Sequence, residues 1–396
     1  MYLPSYKTNF FLQLLFLVSL IATQKIKISA SFFKQILPLL LIFGIGFIGM
    51  YLGSYSLSFI FKDVTYFLKP IICIAISYIV FREIKDLEIF VKNIFYIGLI
   101  SATIHLVGVL FFSNFLKSSI SDIRSDYGLD SFVEIFAFYF LFFSKKWFGE
   151  RLILDKTKYW ICFVVFLVSI FFYFSRTMLI VFFLGYCTLQ GYTKITKGSL
   201  KYIGLIVLMI TLFYAYLFSV KLERNSNGIE AFLYKIKNAP EEIFKTKIDR
   251  ENHKDLWDHW RAYEAKRAIA LMNENKESYL LGNGYGSLVN LKFKAPIGDE
   301  DMKYISRLHN GYVFVFYKIG VFGILLLCCF LFKLYSKTYI PVNNNLKLFY
   351  VNKFISFLGI FYLFTSLIIT GIYIPKDIII FVLGGFLAYQ EKLKAI

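Results

Sequence analysis

The chain has 396 residues, 58% of them hydrophobic, and a formal net charge of +18. So large an apolar share excludes a soluble domain of this size, because much of any folded surface must meet water. The charge does not mark a nucleic-acid groove, since the lysines and arginines fall mostly in short loops between apolar runs.

Hydropathy predicts an all-α polytopic membrane protein with about eleven spans, each close to the length that crosses a hydrocarbon core roughly 30 Å thick. They fall near residues 9–24, 35–53, 63–81, 89–113, 131–144, 159–175, 177–193, 201–218, 309–332, 354–373 and 376–390. Lys7 before the run Phe10–Ala22 could open a signal peptide, but no small-residue cleavage site follows, so this segment is read as the first span. Lys25, Lys27, Lys34, Arg82, Lys85, the basic clusters at 145–158 and 194–201, Lys333, Lys337, Lys347, Lys392 and Lys394 all fall on one side. The other side holds Lys62, Lys117, Arg124, Arg176 and Lys376. The richer side is expected to be cytoplasmic, which puts the C-terminus inside and, with eleven spans, the N-terminus outside. The five cysteines lie in expected spans without metal-ligand spacing, so no disulfide framework is implied.

Residues 1–218 thus form an N-terminal membrane part of about eight spans, and residues 309–396 a C-terminal part of about three. Between them, residues 219–308 form one long polar segment expected on the extracytoplasmic face. Long loops translocate largely regardless of charge, and its acids nearly balance its bases. A loop of this length is expected to fold and to carry function.

Within it, residues 255–273 read as an amphipathic helix. Trp257, Trp260, Ala268, Leu271 and Met272 share one face, and Arg261 and Glu264 fall on that same face. Two charges there form either an i,i+3 ion pair or part of a site. Leu281-Gly-Asn-Gly-Tyr-Gly-Ser287 follows, where glycines such as Gly284 permit a tight turn and close approach of backbone to a ligand.

Arg176 stands between two apolar runs with almost no loop. Such an arginine either snorkels to the interface or uses its planar fork to hold a phosphate or diphosphate. His309 ends the large loop where the chain re-enters the membrane, with Asn310 and Gly311 suited to cap and turn. Imidazole changes charge near neutral pH, so His309 either serves structure at a helix start or accepts a proton from a sugar hydroxyl. Arg307 adds positive charge beside it. Lys69, His105 and Glu134 lie within spans and read as mostly structural, while His253 and His259 lack the paired spacing of a metal site. No nucleotide-binding fingerprint, nucleophile elbow or metal cluster is present, and no cofactor is expected.

Four elements in this order resemble the O-antigen ligase/polymerase superfamily. They are Ser175-Arg176-Thr177, Arg261 in Trp260-Arg-Ala-Tyr-Glu-Ala265, the turn Leu281-Gly-Asn-Gly-Tyr-Gly286, and His309-Asn-Gly-Tyr312 with Lys318-Ile-Gly-Val-Phe-Gly323. The resemblance covers about the C-terminal half. It implies a GT-C-like enzyme of the bacterial inner membrane, acting on undecaprenyl-diphosphate-linked oligosaccharides at the periplasmic face as a metal-independent, inverting glycosyltransferase. It further implies that Arg176 and Arg261 hold the donor diphosphate, that His309 orients or deprotonates the acceptor, and that Asn310, Glu264, Arg307 and Gly284 support them. The acceptor is then another lipid-linked repeat unit in a polymerase, or lipid A–core or a protein in a ligase. The bias toward Phe, Ile, Lys and Asn fits an AT-rich gene, as surface-polysaccharide clusters often are, and tilts the reading toward polymerase. A transporter of lipid-linked sugars is the reading from another class. Repeat symmetry and short loops would be expected of it, and neither is evident here.

Overall fold

The computed structural model describes residues 5–23, 28–84, 86–112, 131–223, 229–297, 300–342, 344–375 and 377–394. Lys25, Lys27, Lys85, Lys117, Arg124 and Lys376, which entered the charge asymmetry, lie outside the described residues. In chain order the helices are α1 (Tyr6–Thr23), α2 (Ala30–Gly49), α3 (Leu57–Glu83), α4 (Leu87–Val107), α5 (Phe132–Phe148), α6 (Lys156–Phe172), α7 (Arg176–Gln190) and α8 (Lys197–Ser219). The large loop contributes α9 (Ile229–Lys237), α10 (Glu241–Phe244), α11 (His253–Asp258), α12 (Trp260–Glu274) and α13 (Ser278–Leu281). An antiparallel hairpin follows, β1 (Val289–Ile297) and β2 (Glu300–Ile305), then α14 (Gly311–Tyr335), α15 (Leu346–Ile368) and α16 (Ile379–Lys394).

The chain is an all-α polytopic membrane protein. Each of the eleven expected spans carries a helix, and seven described helices are long and apolar enough to cross a bilayer. The hairpin was not expected. Its signal is the alternation Val289-Asn-Leu-Lys, which buries Val289 and Leu291 and leaves Lys292 at φ 66°, within the irregular stretch between the Asn290 and Ala295 pairs.

The chain forms two compact units. One comprises residues 1–83, 240–335 and 358–391; the other comprises 84–239, 336–357 and 392–396. The second unit is built on close helix contacts and stacked aromatics. Gly98 lets α4 approach α5 so nearly that a Cβ there would sit 2.3 Å from the Ala137 Cβ. Phe136, Phe140 and Trp147 of α5 pack against Phe357 and Phe354 of α15, with ring centroids 4.6–5.0 Å apart. Along α8 only Ser199 and Leu217 are buried, which suits a helix whose apolar side chains face lipid.

The first unit contains a span that is broken by design of its sequence. Gly320 takes φ 75° and ψ −164° inside α14, so the carbonyls of Tyr317 and Lys318 lose their helical donors. In hydrocarbon such carbonyls must find partners within the protein. They accept from the backbone N–H groups of Asn283 (2.8 Å) and Gly284 (2.9 Å), so the glycine turn plugs the break. Lys318, fully buried, reaches Asp63 of α3 at 2.5 Å and the Ser287 carbonyl, and Asp63 also accepts from the Gly286 N–H at 2.8 Å. The turn is thus fastened to α3 and α14 by a buried ion pair in which the Lys318 ammonium and Asp63 Oδ2 each also bond backbone, while Asp63 Oδ1 is buried without a hydrogen-bond partner among the described residues.

Gly284 is the tightest point. Its φ is 71°, and a Cβ would lie 2.0 Å from the Met50 nitrogen. Gly284→Ala is therefore expected to destabilise the fold by more than about 2 kcal/mol, through left-handed strain plus backbone overlap. Thermal unfolding of the purified protein checks this. A midpoint equal to wild type would show that the turn can move off α2.

Candidate active site

The site in the first unit starts from α12. Trp257 and Trp260 stack at 4.8 Å, and Trp260 continues onto Tyr263 at 5.9 Å. Tyr263 donates to the Leu291 carbonyl at 2.5 Å and Arg267 to the Asn290 carbonyl at 2.9 Å, which ties α12 to the hairpin. Burial lifts the Tyr263 phenol above its ordinary pKa, so it remains a donor. Farther up, Lys245 pairs with Asp255 at 2.7 Å. Burial works against the Asp255 charge, but Lys245 and the Asp249 N–H together hold the carboxyl below its usual range.

This anchoring fixes Glu264, which is 1% exposed. Its carboxylate accepts the backbone N–H of His309 at 2.9 Å and faces the His309 Nδ1 with both oxygens at 3.0 Å. A carboxylate only accepts, so Nδ1 carries a proton, and in the neutral ring this tautomer leaves the lone pair on Nε2. The His309 side chain is 47% exposed, so a buried acid holds an open imidazole. The arrangement can orient a histidine and stabilise the imidazolium formed when Nε2 takes a proton.

The residues after His309 secure its position. Asn310 caps α14, its side chain accepting the Val313 N–H at 3.1 Å. Gly311 lets the helix start press on the Thr370 carbonyl, 2.9 Å from where a Cβ would be, and donates to the Ile369 carbonyl at 3.3 Å. Arg307 lies over the Tyr66 ring at 5.6 Å. Arg261 stands one helical turn before Glu264 and pairs with Glu242 at 2.6 Å. Of the two readings of those charges, the structure pairs Glu264 with His309 and Arg261 with Glu242.

Arg176 belongs to the second unit. It is the first residue of α7, with Ser175 as N-cap, and it donates to the Lys235 carbonyl at the end of α9. Phe174 before it has φ 46°, a left-handed conformation that costs a bulky residue roughly 1–3 kcal/mol. Gly284 sits in the plug of α14, where its close approach is to protein backbone.

Sequence reasoning missed Glu242 and the Asp63–Lys318 pair. Glu242 lies 19 residues from Arg261 and no local spacing points to it. Lys318 and Asp63 did carry a signal, since each is a charge inside a helix that is otherwise largely apolar.

Residues 161–328 match the model of a protein family described as O-antigen ligase. Arg176, Arg261, Glu264 and His309 all fall within the matched segment. No curated protein and no solved structure matches the chain.

Proposed function

We propose, from the premise that this chain belongs to the O-antigen ligase family through residues 161–328, that it polymerises undecaprenyl-diphosphate-linked repeat units of a surface polysaccharide. The coarser part, a membrane protein that transfers glycosyl groups in surface glycan biosynthesis, follows from the family. The setting is the bacterial inner membrane with the reacting groups at the periplasmic face. The observation that carries the chemical reading is the Glu264–His309 dyad, a buried carboxylate beneath an open imidazole.

In this reading His309 Nε2 takes the proton of an acceptor hydroxyl as that oxygen attacks the anomeric carbon. The bond from that carbon to the diphosphate oxygen breaks, and undecaprenyl diphosphate leaves with the electron pair. Attack opposite the leaving group inverts the centre. Arg261 binds the diphosphate and offsets its growing charge, and Arg176 receives the same role from its Ser-Arg motif. The dyad and the arginines are side chains of this protein, so the reading routes no step through a metal.

Ligation of a finished glycan to lipid A–core, or to a protein, uses the same donor and is the alternative. Gel analysis of surface glycan in a deletion strain separates the two. Core bearing a single repeat unit is the expected result and means polymerase. Bare core, with glycan accumulating on undecaprenyl diphosphate, would make the chain a ligase. An unaltered ladder in a strain with no second copy would mean that the family reading is wrong or that the substrate lies in another pathway.

A further inference from the structure

The second unit holds an acid that the chemistry above does not use. Glu134 is fully buried in α5, where an acid is costly at membrane depth. It accepts hydroxyl donors from Ser101 at 2.7 Å, Ser169 at 2.6 Å and Tyr173 at 2.7 Å. Those donors come from α4, from α6 and from the residue that caps α6, so three helices converge on one carboxylate. The Tyr173 ring is held a second time, because His105 stacks on it at 3.7 Å and 7°.

Tyr173 stands just before the reversal into α7. It is the C-cap of α6, and Arg176 is the first residue of α7, which leaves Phe174 and Ser175 to turn the chain. Phe174 turns it in the left-handed region, and Ser175 receives the Met178 N–H. A turn this short has little freedom, so the direction of Arg176 follows from where Tyr173 is fixed. Simple packing of α4, α5 and α6 would be served as well by an apolar residue of similar size. A carboxylate adds what an apolar residue lacks, a directional hold on the Tyr173 hydroxyl.

We propose that Glu134 is a positioning residue for Arg176, acting by clamping Tyr173 at the base of the turn that presents the guanidinium. The proposal rests on the reading in which Arg176 engages the donor diphosphate.

The experiment uses the full chain purified in lipid nanodiscs, with an undecaprenyl-diphosphate-linked oligosaccharide as donor and acceptor. Turnover and KM are measured for wild type, Tyr173→Phe, Glu134→Gln, Arg176→Lys and the double variant Tyr173→Phe with Arg176→Lys. Tyr173→Phe removes a single hydroxyl, so it serves as the informative variant if Glu134→Gln folds poorly. The expected result is a loss of roughly 10- to 100-fold in kcat for Tyr173→Phe, as for a displaced catalytic group, with the thermal midpoint close to wild type. In the Arg176→Lys background the same change is expected to cost less than about 2-fold, because the two act through one group. Losses that multiply in the double variant would overturn the proposal, as would wild-type activity of Tyr173→Phe and Glu134→Gln beside a damaged Arg176→Lys. Wild-type activity of Arg176→Lys would instead overturn the diphosphate role of Arg176, and this inference with it.

Discussion

Replacing His309 by alanine is expected to lower glycan transfer by about 10²- to 10⁴-fold, the usual worth of a positioned general base. The protein should still insert at normal levels, because the ring is 47% exposed and supports no packed core. Glu264→Gln is expected to cost roughly 10- to 100-fold, the scale seen when a partner that orients a functional histidine is removed. A glutamine keeps the shape and one acceptor oxygen, so the His309 N–H still finds a partner. It loses the charge that stabilises the imidazolium, and its amide can turn a donor toward Nδ1 and reverse the tautomer. Transfer assays on membranes with matched protein levels decide the matter. Full activity of His309→Ala would remove the histidine from the mechanism. Full activity of Glu264→Gln with a dead His309→Ala would leave the histidine in place without need of the acid.

Arg261→Lys and Arg176→Lys should each reduce turnover about 10²-fold, comparable to deleting one donor that stabilises charge in the transition state. Lysine keeps the charge and loses the planar fork that meets two phosphate oxygens at once. Arg261 has a second test in Glu242, which it contacts at 2.6 Å. If that pair only braces α12 against the preceding segment, Glu242→Gln and Arg261→Lys should lower the thermal midpoint together. The diphosphate reading expects a different pattern, in which Arg261→Lys damages turnover far more than Glu242→Gln does. Donor consumption unchanged in both arginine variants would sink the diphosphate assignment.

The membrane architecture was legible because apolar runs announce themselves, and each expected span does contain a helix. The ends were less legible where a charge lies inside a helix. The third span was expected to begin at Asp63, just after Lys62, yet α3 starts at Leu57 and carries both charges inside the helix, with Asp63 paired to Lys318. The start of α15 at Leu346 was missed for a similar reason, since Lys347 and Lys353 made the segment look like loop. Among the candidate residues, Arg176, Arg261 and His309 were visible as polar residues at span boundaries or on an amphipathic face. The link between Glu264 and His309 was not, because 45 residues separate them and no local periodicity joins them. Glu134 was visible only as an oddity, and its partners Ser101, Ser169 and Tyr173 lie on segments that sequence spacing does not relate.

The break at Gly320 also bears on how the protein is made. The carbonyls of Tyr317 and Lys318 gain partners only when Asn283 and Gly284 are in place. A ribosome delivers residues 281–287 before it delivers α14, so the donors exist first and the span that needs them arrives later. A chain with α14 inserted and the loop not yet docked would leave those two carbonyls without these donors, which the hydrocarbon cannot replace, so completing the span requires docking the loop.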